Sequence, residues 1–294
     1  MFDFRYHVAS LAAVFVALVI GILVGVGLSG RGFVDDAERR NLQQEIASLR
    51  EGQRAARAEL AAAVRDRGAF ADYAERTYAA LVDGRLEDRR VALVYVGSVD
   101  PTVDFAVTRA VQDAGGSVVR MRALAVPLDP RVTDDALAGR PALRSYRGPD
   151  ALGRLGRELA AEVVDGGRTP LWDALADVLV EERAGASGPR ADAVVVARSA
   201  PAQEGVTQEL LTAFYGGLAT SGVPAIGVEP TGVERSTVPA FARARLSTVD
   251  GVETPAGRVA LVLLLAGGQP GSYGVRPAAT SGVLPPVPPA PADG

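Results

Sequence analysis

The spacing of apolar and polar residues changes twice along the chain, dividing it into three regions and a tail. From Val8 to Leu28 there is no charged residue across 21 positions. At roughly 1.5 Å per residue this run forms a helix of about 31 Å, the thickness of a bilayer's hydrocarbon core. Phe2, Phe4 and Tyr6 precede the core of the run, interleaved with Asp3, Arg5 and His7. That arrangement fits an aromatic belt at the interface, with Arg5 and His7 reaching toward headgroups. A secretory signal has a shorter apolar stretch behind a positive segment. The length favours a retained anchor, although the small residues of Gly27-Leu28-Ser29 leave a cleavage site as the alternative. Arg5 lies before the run, and Arg31, Arg39 and Arg40 lie after it. Counted alone, these charges place the C-terminal part in the cytoplasm.

From Asp35 to about Val82 the apolar residues recur at alternating steps of four and three. Leu42, Ile46, Leu49, Ala56, Leu60, Ala63, Phe70, Ala74 and Leu81 define the seam, and Gln53, Arg67 and Thr77 are its polar positions. A seven-residue repeat with acids and arginines on the other faces predicts a coiled coil. The plainer alternative is one long amphipathic helix lying on its own domain, which the alanine-rich seam permits. Gly21 and Gly25 form a small-xxx-small step in the membrane run, a spacing that lets two helices approach closely. Together these predict a parallel dimer through Gly21, Gly25, Leu42, Ile46, Leu49 and Leu60.

Beyond Arg90 the pattern becomes apolar runs alternating with helical segments. Val91–Gly97, 117–126, Ala191–Ser199 and Val223–Pro230 read as strands buried on both faces. Asp100-Pro101 reads as a cap with Pro at the first helical position, opening a helix to about Ala114. Further helices are expected over about 151–164, 171–183 and 206–221. Residues 128–149 are less regular, and 231–251 fit no single pattern. Arg258–Gly268 could be strand or helix, and Thr254-Pro255 before it tips the reading to helix. The alternation predicts an α/β fold, a Rossmann- or flavodoxin-like parallel sheet. The expected organisation is residues 1–32 with one membrane helix at about 8–28, a coiled-coil helix over 33–84, and an α/β domain over 89–276. A Pro/Ala-rich tail over 277–294 is expected to be disordered.

Composition then narrows the chemistry. The chain has 294 residues, a formal net charge of −4, no Cys and a single His. Near-balanced charge offers no basic surface for nucleic acid. The lack of Cys removes disulfides, zinc-thiolate sites and thiol nucleophiles. There is no Lys, so no phosphate-binding P-loop, and GSVDP after the first strand lacks the G-x-G-x-x-G of dinucleotide sites. The glycine-rich segment Gly267–Gly274 reads as a structural turn fastening the end of the domain. In open parallel sheets, ligands bind beyond the carboxyl ends of the strands. Those ends carry Asp100, Arg198, Ser199 and Glu229, the candidates for binding a polar ligand or partner. A carboxylate pair with an arginine could also do acid/base work, which leaves an enzyme using Asp100, Arg198 and Glu229 as a second reading. The alternative is that Asp100 only caps its helix, Arg198 pairs with a surface acid and Ser199 sits in a turn. No constellation fixes a reaction type, so no catalytic residue, resident cofactor or metal site is expected, and the protein reads as a non-enzyme.

The opening MFDFRYHVASLAAVFVALVIGILVG resembles the N-terminus of the actinobacterial MctB/SteB family, and so do the heptads, VALVYVG and TVDGVETPAGRVALVLLLAGGQPGSYG. The resemblance spans the chain up to its tail. It implies copper transport or efflux in the cell envelope, copper being implied by the family name alone. It also implies a SteB-like role in cell separation, with a SteA-like membrane or cytoplasmic partner and a peptidoglycan hydrolase. The large domain is implied to lie outside the cytoplasmic membrane, against the arginine count. The two roles make different demands. A pore requires several helices or a closed barrel, and a copper carrier requires soft or imidazole ligands. The sequence offers one membrane segment, with His7, Met1 and Met121 as such ligands.

Overall fold

A computed structural model of the chain describes residues 4–29, 33–185 and 188–288. Met1–Asp3, residues 30–32 and the end of the tail, 289–294, lie outside the described residues. So do part of the expected aromatic belt, Arg31 and the boundary expected at 32/33. The chain divides into two compact units, Met1–Ala69 and Phe70–Gly294.

In the first unit, α1 (Phe4–Ser29) contains an apolar span, Tyr6–Gly27, of mean hydropathy 2.8 with none of it buried. A helix apolar on every side and covered by nothing finds its favourable surroundings in lipid. Helix α2 (Phe33–Val82) follows, and its first part belongs to this unit. Leu42, Ile46, Leu49 and Leu60 are all exposed there.

The second unit is built on a seven-stranded sheet. Its strands are β1 (Arg90–Val96), β2 (Ser117–Leu124), β3 (Val180–Ala184), β4 (Ala193–Arg198), β5 (Ala225–Glu229), β6 (Ser247–Asp250) and β7 (Ser272–Tyr273), in the order β3-β2-β1-β4-β5-β6-β7. Six strands run parallel, and β3 is antiparallel on the edge against β2, with Met121 opposite Ala184. The parallel strands therefore follow a flavodoxin-like winding, with the chain reversing its direction across the sheet between β1 and β4. At the opposite end of these two strands, Arg90 grips Asp192 with its backbone N–H (2.9 Å) and a two-pronged guanidinium contact (2.9 and 3.0 Å).

Each face of the sheet carries its own core. On one face, α3 (Pro101–Asp113) and α10 (Pro255–Leu265) pack with Tyr78 and Val82 from the end of α2. Arg258 on α10 lies 4.4 Å from the centre of the Tyr78 ring and 3.1 Å from Glu75, so the last turns of α2 are tied to this domain. The alternative of an amphipathic helix lying on its own domain thus describes these last turns. On the other face, α5 (Leu152–Asp165) and α8 (Gly205–Ala219) cover the strands. They meet closely because Gly156 and Gly217 lack side chains. A Cβ at Gly156 would fall 2.5 Å from the Leu210 carbonyl oxygen, and one at Gly217 would fall 2.9 Å from Ala160 Cβ.

Several elements depart from the expectation. The helix anticipated over 171–183 is two short helices, α6 (Pro170–Ala174) and α7 (Ala176–Leu179), followed by β3. The chain turns there because β2 has an open edge whose backbone groups β3 satisfies. Residues 128–149 contain α4 (Pro130–Ala138), capped by Asp129, and a short 3-10 turn, Pro141–Tyr146. The ambiguous 231–251 stretch holds α9 (Val238–Arg243) and β6. Pro255–Leu265 is helical, with the Thr254 hydroxyl accepting from the Gly257 N–H at 3.0 Å. Part of the expected disordered tail is instead packed. Ser281 N–H donates to the Ser272 carbonyl at 2.9 Å, Leu284 packs against the core and Pro285 is buried. Apolar residues scattered among the prolines supply that contact without any periodic pattern.

Candidate functional site

In a doubly wound sheet the crevice for a ligand opens where the winding reverses, here between the carboxyl ends of β1 and β4. In this protein that crevice is closed. The Ser199 and Ala200 N–H groups both donate to the Val96 carbonyl at 3.1 Å, and Ser199 Oγ donates to the Ser98 carbonyl at 2.6 Å. Gly97 makes the seal possible. It has φ +93°, and a Cβ there would fall 2.8 Å from both Ala200 Cβ and Ser199 Oγ.

The opening lies one strand along. A cavity of about 950 Å³ sits beyond the ends of β4 and β5, beneath α8 and α9. Asp100, Arg198 and Ser199 all line it, so the structure brings together three of the four sequence candidates. Asp100 also caps α3, accepting from the N–H groups of Thr102 (2.8 Å) and Val103 (3.2 Å). Arg198 ends β4 half-buried, and among the described residues it has no carboxylate partner, contrary to the expected surface ion pair. Its Nε is buried without a well-aligned acceptor. Beside it lies Tyr215 of α8, 4% exposed, whose hydroxyl makes no well-formed hydrogen bond. Burial holds that hydroxyl up to about 12, opposed by the neighbouring Arg198 guanidinium.

Glu229 does not reach the cavity wall. It stands in register with Asp250 on β6, and both carboxylates are buried. Glu229 accepts from Ser236 Oγ (2.8 Å), Thr237 N–H (2.6 Å), Thr237 Oγ1 (3.1 Å) and Arg276 Nη1 (3.3 Å). Asp250 accepts from the N–H groups of Val275 and Arg276 at 2.9 and 3.1 Å. Every acceptor role of these two groups holds chain in place. Glu229 is a clasp rather than a ligand-binding acid, and the glycine-rich turn fastens the end of the domain as its sequence suggests.

Sequence reasoning missed Tyr215, Arg235 and Arg243, which complete the cavity. Tyr215 looks like any aromatic on a helix face. Arg235 and Arg243 fall in the unpatterned 231–251 stretch, where Thr237 followed by Pro239 repeats the helix-start signal used for Thr254-Pro255. Thr237 donates its hydroxyl to Glu229, so it closes the helix N-terminus without a side-chain cap bond.

The proposed dimer positions are placed differently. Gly21 and Gly25 have no atom within 4 Å of where a Cβ would stand, and Leu42, Ile46, Leu49 and Leu60 of the seam are uncovered in the single chain. Among the described residues no three His, Cys, Asp or Glu side chains gather in a way that would hold a metal ion.

No curated protein matches the sequence. A family model described as "Copper transport outer membrane protein, MctB" matches residues 1–284. That match begins at the membrane helix and ends past the last strand, taking in the clasp and the cavity on the way, and so the chain belongs to the MctB family and is a membrane-associated protein.

Proposed function

We propose that the protein is a single-pass scaffold of the cell envelope, which pairs with a second copy along α2 and holds its α/β domain outside the cytoplasmic membrane for a partner. The observation that carries this reading is the uncovered seam. Leu42, Ile46, Leu49 and Leu60 are 52, 46, 67 and 66% exposed, at coiled-coil spacing, directly after a membrane helix. Apolar side chains at that spacing gain most by packing into the same seam of another helix. Gly21 and Gly25 would continue the pairing within the bilayer. The SteB-like role follows naturally: the anchored stalk positions a SteA-like partner and a peptidoglycan hydrolase, and the protein is itself no enzyme. The test is the mass of the full-length chain in detergent. Two copies per particle are expected, falling to one in Leu42→Ala/Ile46→Ala/Leu49→Ala, and a monomeric wild type at all concentrations overturns the reading.

The family description favours a second reading, in which the protein moves copper. Its test is copper content. A deletion strain that accumulates copper, and regains normal levels with the wild-type chain, would support transport.

A further inference from the structure

The cavity beyond β4 and β5 has an excess of unpaired positive charge. Arg198, Arg235 and Arg243 line it, and among the described residues none of the three has an ion-pair partner. Of its two acids, Asp100 has Oδ1 committed to capping α3, and Glu234 is exposed. Arg198 and Tyr215 add a second observation. Buried polar atoms are almost always hydrogen-bonded, yet Arg198 Nε and Tyr215 Oη have no well-aligned partner, and the contact between guanidinium and hydroxyl is the one interaction they share. The hydroxyl oxygen can accept from the guanidinium, and what then lacks an acceptor is the hydroxyl proton and the rest of the guanidinium fork. An arginine at the end of a buried strand, against a buried hydroxyl and facing an open cavity, presents the planar donor fork that suits an oxyanion.

We propose that this cavity binds a small molecule bearing an oxyanion, a carboxylate or a phosphate, which docks on the Arg198 guanidinium. Tyr215 supports that arginine from beneath, and Arg235 and Arg243 draw the anion in at the mouth. Gln203, Gln208 and Thr212 offer neutral donors and acceptors to the rest of the molecule. The volume, about 950 Å³, is that of a site for a small molecule rather than a single ion. The site is independent of α2, so a monomeric protein that still bound anions would leave this inference intact.

The test follows thermal unfolding of the full-length chain in detergent during titration with potassium phosphate or potassium acetate, each against potassium chloride at matched ionic strength. Salts such as phosphate raise stability generally, so the reading is the difference between wild type and variants. The expected result is a saturable upward shift in wild type, with apparent affinity falling about tenfold or more in Arg198→Gln, as for loss of a hydrogen bond to a charged group. Arg235→Gln/Arg243→Gln changes two exposed side chains and is expected to weaken binding several-fold. Tyr215→Phe keeps its ring contact with Phe241, 5.2 Å between centroids, and is expected to bind the anion more weakly. A shift with phosphate alone identifies a phosphate ester as the ligand class, and a shift with acetate alone identifies a carboxylate. Shifts with both assign the site to oxyanions generally. No saturable shift, or the same shift in wild type, Arg198→Gln and the double variant, overturns the proposal. Should Arg198→Gln fail to fold, the double variant decides.

Discussion

Arg276 Nη1 lies 3.3 Å from Glu229 Oε1, joining the segment after the last strand to the carboxyl end of β5. Glu229 is 1% exposed at its side chain, and the same arginine donates from its other Nη to the Val233 carbonyl at 2.5 Å. The pair thus ties two separate stretches of chain together beside the cavity.

Breaking this clasp should destabilise the α/β domain. Arg276→Ala leaves the Glu229 charge buried with only Ser236 and Thr237 as partners, and is expected to cost about 2–3 kcal/mol. Arg109→Ala, which removes an exposed pair with Asp113 on one helix, should stay within about 0.5 kcal/mol. Urea unfolding followed by circular dichroism measures both.

Gly274 should tolerate no side chain. Its φ is +143°, and a Cβ would fall 2.1 Å from the Asp250 carboxyl carbon. Gly274→Ala therefore displaces the Val275 and Arg276 N–H groups from Asp250, and is expected to lower the melting temperature by several degrees. Gly267→Ala has open space around it and loses only the comfort of its φ of +90°, so its effect should be smaller.

Glu162 should give the domain a recognisable pH signature. Its carboxylate accepts from the N–H groups of Leu171 and Trp172 at 3.0–3.1 Å, at the start of α6. Burial, partly offset by those bonds, pushes its pKa up from 4.5 to about 7. A carboxyl raised on folding contributes stability that is fully present below 4.5 and is lost as pH rises through about 7. Asp192 acts in the opposite sense: its bonds to Arg90 hold it below the usual carboxylate range, and its contribution disappears as pH falls through that lowered value. Melting temperature measured from pH 4.5 to 8 should decline toward the alkaline end, and Glu162→Gln should flatten that decline.

The sequence revealed those parts of the fold whose signal is local. Asp100-Pro101 and Thr254-Pro255 each show a cap and a pre-set φ within two residues, and both helices begin there. The runs that became β1 and β4 are apolar throughout because helices cover both faces, and they stood out for that reason. What stayed hidden depends on distant partners. Val180–Ala184 is rich in good helix formers and becomes a strand only because β2 offers it an edge. Ser247–Asp250 is four residues long, too short for a period to appear. The cavity was half legible: Arg198 follows from the strand-end rule, whereas its displacement from the β1/β4 crevice depends on Gly97 meeting Ala200. Glu229 obeyed the same rule and proved structural, because nothing local announces that Arg276, 47 residues later, returns to claim it.

The proposal that α2 pairs with a second copy is tested most directly by disulfide cross-linking in native membranes, for which a chain without cysteine is already suited. With single substitutions Ile46→Cys and Leu49→Cys on the seam and Glu51→Cys on the opposite face, mild oxidation should give a covalent dimer from the seam positions and little from residue 51. No dimer from any seam position, or equal yields from both faces, would contradict it.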